Sequence, residues 1–171
     1  MPIVFGLGGP LVAMVGTNIG AGKRERALRT AWIGAAIAAG LCEIVGVSAA
    51  LFPHAWLSLF DTDPSMLDAG TRYLRAVGPA YGFFGFGLAL YFASQGAGKL
   101  LWPLLANLFR LSVAALGGWI ALRMSGDLSN VFLAQGAALV VYGFVNAASV
   151  AGGAWFGPIG LPRKEFSWSK G

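Results

Sequence analysis

Apolar residues fall into five long blocks, and most charges lie between them. Residues 1–22 carry no charge, residues 30–60 carry only Glu43, residues 76–98 carry none, residues 100–122 carry only Arg110, and residues 128–162 carry none. A helix that crosses a bilayer needs about 20 mostly apolar residues. The blocks predict five spanning helices, at about 2–20, 30–52, 75–96, 101–122 and 130–155. The first block has no basic residues ahead of it. It runs into a basic loop rather than a small-residue cleavage site, so it reads as a span and not as a signal peptide.

The segment between the second and third spans has its own signals. Pro53 ends the second span, and Trp56, Leu57, Leu59 and Phe60 form a patch suited to a membrane interface. Asp63 followed by Pro64 predicts a helix N-cap with proline at the first helical position. Asp61-Thr62-Asp63 could be written as a metal motif, but nothing nearby would complete a coordination shell, and the cap is the better reading.

Composition narrows the class. The chain is 57% hydrophobic and 11% charged, against roughly 25% charged in average soluble domains. This excludes a soluble domain, a disordered chain, a coiled coil and a nucleic-acid binder. The net charge of +5 is spread over separate loops and forms no nucleic-acid footprint. The 26 glycines follow no Gly-X-Y period. They suit membrane helices, where small residues let backbones approach. A single cysteine, Cys42, allows no internal disulfide, and with one histidine, His54, a metal centre is not expected. No nucleophile–base–acid set and no phosphate-binding loop is visible, so the chain reads as a non-enzyme. Gly6-Leu7-Gly8-Gly9 is no dinucleotide fingerprint, since no strand precedes it. No internal repeat of fixed period is present. The fold class expected is an all-α, polytopic transmembrane bundle in contact with the lipid bilayer.

Charge also sets orientation. The loop Lys23–Arg29, the loop at Lys99 and the tail with Arg163, Lys164 and Lys170 together hold eight Lys and Arg. The alternate loops, with Arg72, Arg75 and Arg123, hold three. The positive-inside rule puts the richer set in the cytoplasm. A multi-pass protein of the cell membrane is expected, with its N-terminus outside and its C-terminus inside.

Two charges lie at span depth. Glu43 shares a helical face with Ala36, Ala39, Gly40, Gly46, Val47 and Ala50, opposite Ile37, Leu41, Ile44, Leu51 and Phe52. Arg110 shares one with Ala106, Asn107, Ala114 and Gly117, opposite Leu105, Leu108, Phe109, Leu116 and Trp119. Small faces pack on helices and bulky faces meet lipid. An arginine at the bilayer centre costs roughly 2.5–3.5 kcal/mol on insertion scales and needs a partner. A Glu43–Arg110 pair is the expectation; the alternatives are a fixed structural ion pair or bonds to other helices. Tyr81, Tyr91 and Gln95 lie on the third span, the last two one turn apart on one face. Facing a cavity, such groups suit flat organic cations; facing another helix, they are ordinary packing. Asn107 and Asn146 are polar candidates of the same kind. Gly16-x-x-x-Gly20 and Gly78-x-x-x-Gly82 are close-packing spacings.

Several segments then form a set. Val15-Gly16-Thr17-Asn18-Ile19-Gly20-Ala21-Gly22-Lys23, followed by Arg26-Ala27, closes a span and opens a basic loop. Next come Pro53, Ala55-Trp56-Leu57, Leu59-Phe60, Asp63-Pro64 and Tyr73-Leu74-Arg75. Last is Gly85-Phe86-Gly87-Leu88-Ala89-Leu90-Tyr91-Phe92-Ala93-Ser94-Gln95-Gly96-Ala97-Gly98. Together they resemble the C-terminal lobe of the MATE (multidrug and toxic compound extrusion) transporters, over about residues 6–156. The resemblance implies helices eight to twelve of twelve, with residues 1–156 forming a partial lobe and 157–171 a cytoplasmic tail. It implies a truncated half-transporter that exchanges Na⁺ or H⁺ for organic, often cationic, drugs, and that needs an N-terminal lobe or a second copy. The family's first-helix aspartate has no counterpart, and residues 75–96 contain no acid. No family role therefore passes to Glu43. The other readings are a non-transporting membrane subunit or remnant, and a lipid-linked oligosaccharide flippase of the wider superfamily. For the flippase, Arg110 alone supplies too few cationic cavity residues.

The charge split makes a checkable prediction. A reporter fused at Lys99 or after Lys164 reads as cytoplasmic, and one at Asp61 reads as external. Finding Asp61 and Lys164 on the same side would contradict five spans.

Overall fold

The computed structural model of the chain describes residues 2–60 and 62–156. The described residues are helical, with no strand. In order they form α1 (Pro2–Gly20), α2 (Arg24–Leu51), the short α3 (Pro53–Leu57), α4 (Pro64–Val77), a 3-10 turn (Gly78–Ala80), α5 (Tyr81–Gly96), α6 (Leu101–Ser125) and α7 (Leu128–Ala151). By length and composition, α2, the run Pro64–Gly96, α6 and α7 can cross a membrane, and α1 is a shorter apolar helix. Four of the five expected spans thus fall on helices long and apolar enough to cross, with shifted ends, and the first falls on the shorter apolar α1. Helix α2 starts at Arg24 rather than near residue 30 and runs 28 residues. At 1.5 Å per residue that is about 42 Å, longer than a hydrocarbon core of about 30 Å, so the helix has room for its charged first turns beyond the apolar layer.

Local signals explain the breaks. Pro53 occupies the first turn of α3. The Asp63 side chain accepts from the Ser65 and Met66 N–H groups, as the N-cap reading requires. The Ser65 hydroxyl, then those two amides, hold the Asp63 carboxyl below its usual range. Asp127 caps α7 through the Ser129 N–H, which likewise lowers its carboxyl. Gly22, Gly98 and Gly126 sit at positive φ where α1, α5 and α6 end. Between α4 and α5, Pro79 cannot donate a helical hydrogen bond, and the chain tightens into the 3-10 turn. Trp56, Leu59 and Phe60 remain exposed, while Leu57 folds over Gly70.

Helix α5 is the centre of the bundle and packs on α1, α2 and α7. Glycine makes each contact close. A Cβ built on Gly85 would lie 2.7 Å from Cys42 Sγ and 2.8 Å from the Ala38 carbonyl oxygen of α2. One on Gly96 would lie 2.5 Å from the Val12 carbonyl oxygen of α1, and one on Gly143 of α7 would lie 2.7 Å from the Phe83 carbonyl oxygen of α5. Helix α2 presents the alanine stripe Ala27, Ala31, Ala35 and Ala38 to the core, all fully buried. Its bulky residues Ile33, Ile37, Leu41, Ile44 and Leu51 are exposed, as are Leu104, Leu108, Leu111, Leu116 and Trp119 of α6. Such exposed, bulky apolar sides suit contact with lipid.

The basic segments share one end of the bundle. Gly16 near the end of α1 lies against Gly96 at the end of α5. The Trp155 indole N–H donates to Ser94 Oγ (3.1 Å), and the Arg24 guanidinium lies 5.2 Å from the centre of the Phe156 ring. The loop at Lys23, Lys99 and the segment after α7 therefore cluster together. The tail residues Arg163, Lys164 and Lys170, and Asp61, lie outside the described residues.

If the glycine contacts set the helix spacing, Gly85→Ala costs about 1–3 kcal/mol, because neither the Ala38 carbonyl nor Cys42 can yield freely. Gly40, with nothing within 4 Å of a built Cβ, is the matched control. Gly40→Ala leaves the melting temperature in detergent unchanged or slightly raised.

Candidate functional site

Two grooves flank α5, and each holds one of the two span-depth charges. The first lies between α2, α5 and α7 and has a volume of about 500 Å³. Ala39, Gly40, Glu43, Gly82, Phe83, Phe86, Gly143, Phe144 and Ala147 line it. Glu43 is half-buried at its wall, and its Oε2 accepts from the Gly82 N–H at 2.7 Å. Gly82 belongs to the first turn of α5, immediately after the 3-10 break. The first amides of a helix lack intrahelical acceptors and carry the positive end of its dipole. A carboxylate from α2 thus caps α5 from outside its own chain segment. Gly82 permits this approach, since a built Cβ would lie 2.5 Å from that same oxygen. Phe83 and Phe144 stack across the groove mouth with ring centres 5.7 Å apart.

The second groove, of about 220 Å³, lies between α5, α6 and α7. It is lined by Phe84, Leu88, Tyr91, Pro103, Leu104, Asn107, Arg110 and Tyr142. The Arg110 Nε–H donates to Asn107 Oδ1 at 3.1 Å, and its guanidinium lies 5.8 Å from the centre of the Tyr142 ring. Three candidates from the sequence, Tyr91, Asn107 and Arg110, therefore meet in one place.

Glu43 and Arg110 do not meet. Their charged groups bind Gly82 and Asn107, respectively, and no ion pair joins them. The helix geometry gives the reason. At about 100° per residue, Gly82, Phe83 and Phe86 lie on one side of α5, and Phe84, Leu88 and Tyr91 on roughly the opposite side. The expected pair is replaced by two separate sites with α5 as the wall between them. Other candidates fall outside both grooves. Tyr81 packs its Cβ against Gly46 of α2, and its hydroxyl interacts with Tyr73. Gln95 is half-buried near the end of α5 and lines neither groove. Asn146 is fully buried inside the bundle, where its side-chain amide donates to the Tyr142 carbonyl at 3.0 Å.

Sequence reasoning missed the aromatic walls Phe83, Phe86, Phe144 and Tyr142. Phe83 and Phe86 stand one turn apart beside Gly82, and Phe144 follows a glycine. That pattern of aromatics next to close-packing glycines was the available signal.

The model of the MatE family matches residues 1–120 of the 171. The chain belongs to the MatE family. It is a membrane transport protein of that superfamily, and its matched region covers α1 to α5 and most of α6, including Glu43 and Arg110. No curated protein and no solved structure matches the chain.

Separation of the two charges has an energetic signature. Glu43→Ala and Arg110→Ala each lower thermal stability, and their effects add to within about 0.5 kcal/mol, as for sites without shared partners. Partial recovery in the double variant would mean that the two charges interact.

Proposed function

We propose that the chain is a C-terminal lobe, matching helices eight to twelve, of an antiporter that exchanges Na⁺ or H⁺ for organic compounds, with amphipathic organic cations as the favoured class. The observation that carries this reading is the Glu43 groove. It offers one carboxylate and three phenylalanine rings within about 500 Å³. A cation with a flat apolar body satisfies both features, by charge pairing and by ring-face attraction. The same carboxylate is the natural place for the coupling ion. A proton or Na⁺ and an organic cation compete for one negative charge, and that competition is the physical basis of exchange.

The groove is open at the surface, where Phe83 and Phe144 are exposed. Alternating access needs a second body to close over such a site and to rock against it. In this reading the partner is an N-terminal lobe or a second copy, and the basic end of the bundle faces the cytoplasm. Expulsion of a drug then runs from the Lys99 end toward the Asp63 end.

Efflux of a fluorescent monovalent organic cation from proteoliposomes tests the proposal, with and without an N-terminal lobe of the family. The chain alone gives no efflux, and the reconstituted pair does. In the pair, Glu43→Gln lowers efflux about tenfold or more, the equivalent of about 1.4 kcal/mol or more in binding, and flattens its pH or Na⁺ dependence. Glu43→Asp keeps part of both. Unchanged efflux and unchanged pH and Na⁺ dependence in Glu43→Gln would end the assignment.

A further inference from the structure

Arg110 presents a cation at span depth with little to neutralise it. Its Nε–H is taken by Asn107 Oδ1. Among the described residues no acceptor meets its two terminal nitrogens, and the nearest aromatic face is that of Tyr142. A guanidinium in this setting requires an anion or access to headgroups. Side chains on a helix tilt toward its N-terminus. The Arg110 recess follows that direction, since its α6 walls Pro103, Leu104 and Asn107 all precede Arg110. The N-terminus of α6 follows Lys99 directly, at the end of the bundle that also carries Lys23, Arg24, Arg26 and Arg29. The recess therefore leads toward the most cationic surface of the molecule, the one at which anionic lipids accumulate.

The flank of the recess is apolar. Leu104 and Leu108 of α6 are 57% and 59% exposed, and Leu101 at the helix start is 67% exposed. From a recess with an unsatisfied guanidinium, a row of leucines runs along the lipid-facing side of α6. The geometry points to an anionic phospholipid of the leaflet at the basic end as the occupant. Its phosphate sits against Arg110 and Asn107, and its acyl chain lies along Leu104 and Leu108. Asn107 contributes by holding the guanidinium fixed through its oxygen and by offering its amide N–H groups to the phosphate. The Tyr142 ring supports the guanidinium face from α7. The lipid would thereby link α6, which packs chiefly on α7, to the wall of α5.

Native mass spectrometry of the chain released from nanodiscs of mixed phosphatidylcholine and phosphatidylglycerol tests this. One phosphatidylglycerol remains bound to the wild type in preference to phosphatidylcholine. Arg110→Gln lowers that preference about fivefold, the factor that one basic residue near an anionic surface is worth. Arg110→Lys retains most of it. Arg29→Gln, in the basic loop, leaves this last bound lipid in place. Equal retention of the two lipids by the wild type would overturn the proposal, as would unchanged retention in Arg110→Gln. Should Arg110→Gln fail to fold, the wild type decides alone through its melting temperature. Dodecyl phosphate raises it, whereas dodecylphosphocholine and inorganic phosphate do not. Equal stabilisation by inorganic phosphate would mean a simple anion site, and no stabilisation by dodecyl phosphate would mean that Arg110 faces a carboxylate of another protein segment; either result rejects the lipid.

Discussion

Close approach of α5 to its neighbours is the constraint on which the other features rest. Lipid tails are as apolar as leucine, so membrane helices gain little by hiding apolar side chains from water. They gain by contact between backbones and small residues, and here the contacts are made by glycine and alanine. Gly85 against Ala38 and Cys42, Gly96 against Val12, and Phe83 against Gly143 fix three different neighbours on one 16-residue helix. Only at that spacing does a glutamate on α2 reach the backbone of α5. The carboxylate-to-amide bond between Glu43 and Gly82 is a consequence of small-residue packing.

The same helix divides the molecule electrically. Glu43 lies on one side of α5 and Arg110 near the opposite side, and each is handled by different means. The carboxylate is stabilised by an amide at the start of an interrupted helix, where unpaired N–H groups and the dipole favour negative charge. The guanidinium is steadied by a side-chain oxygen and an aromatic face, and it retains donors for something else. Neither arrangement discharges its group completely. An ion pair would have locked α2 to α6. With the charges apart, each groove keeps a charged wall that a ligand, an ion or a lipid can address.

Much of this was legible in the sequence. The five apolar helical segments followed from the spacing of charges, because a single ionisable residue within about 20 apolar ones is expensive enough to be rare. The Asp63-Pro64 cap followed from local chemistry, and the bulky side of α2 was identified by periodicity alone. The missing information was rotational and three-dimensional. Glu43 and Arg110 each lay on a small-residue face, and pairing them assumed that those faces meet. Which side of α5 each helix occupies is set by Gly82, Gly85, Gly87 and Gly143 acting together, and no pairwise spacing encodes that. Helix α4 extended the third span back to Pro64 for a similar reason. Its polar residues Asp68, Arg72 and Arg75 masked the helical segment ahead of the 3-10 turn, and Arg72 and Asp68 satisfy each other at 2.8 Å.

The central claim is that the Glu43 carboxylate caps α5 at Gly82. Only two Tyr-Gly peptides occur in the sequence, Tyr81-Gly82 and Tyr142-Gly143. Labelling tyrosine carbonyl carbon and glycine nitrogen therefore isolates two amide signals by solid-state NMR in lipid. Relative to the wild type, Glu43→Ala displaces the Gly82 signal, because its amide loses the carboxylate acceptor, while the Gly143 signal stays in place. A Gly82 amide indifferent to the loss of Glu43 would contradict the account.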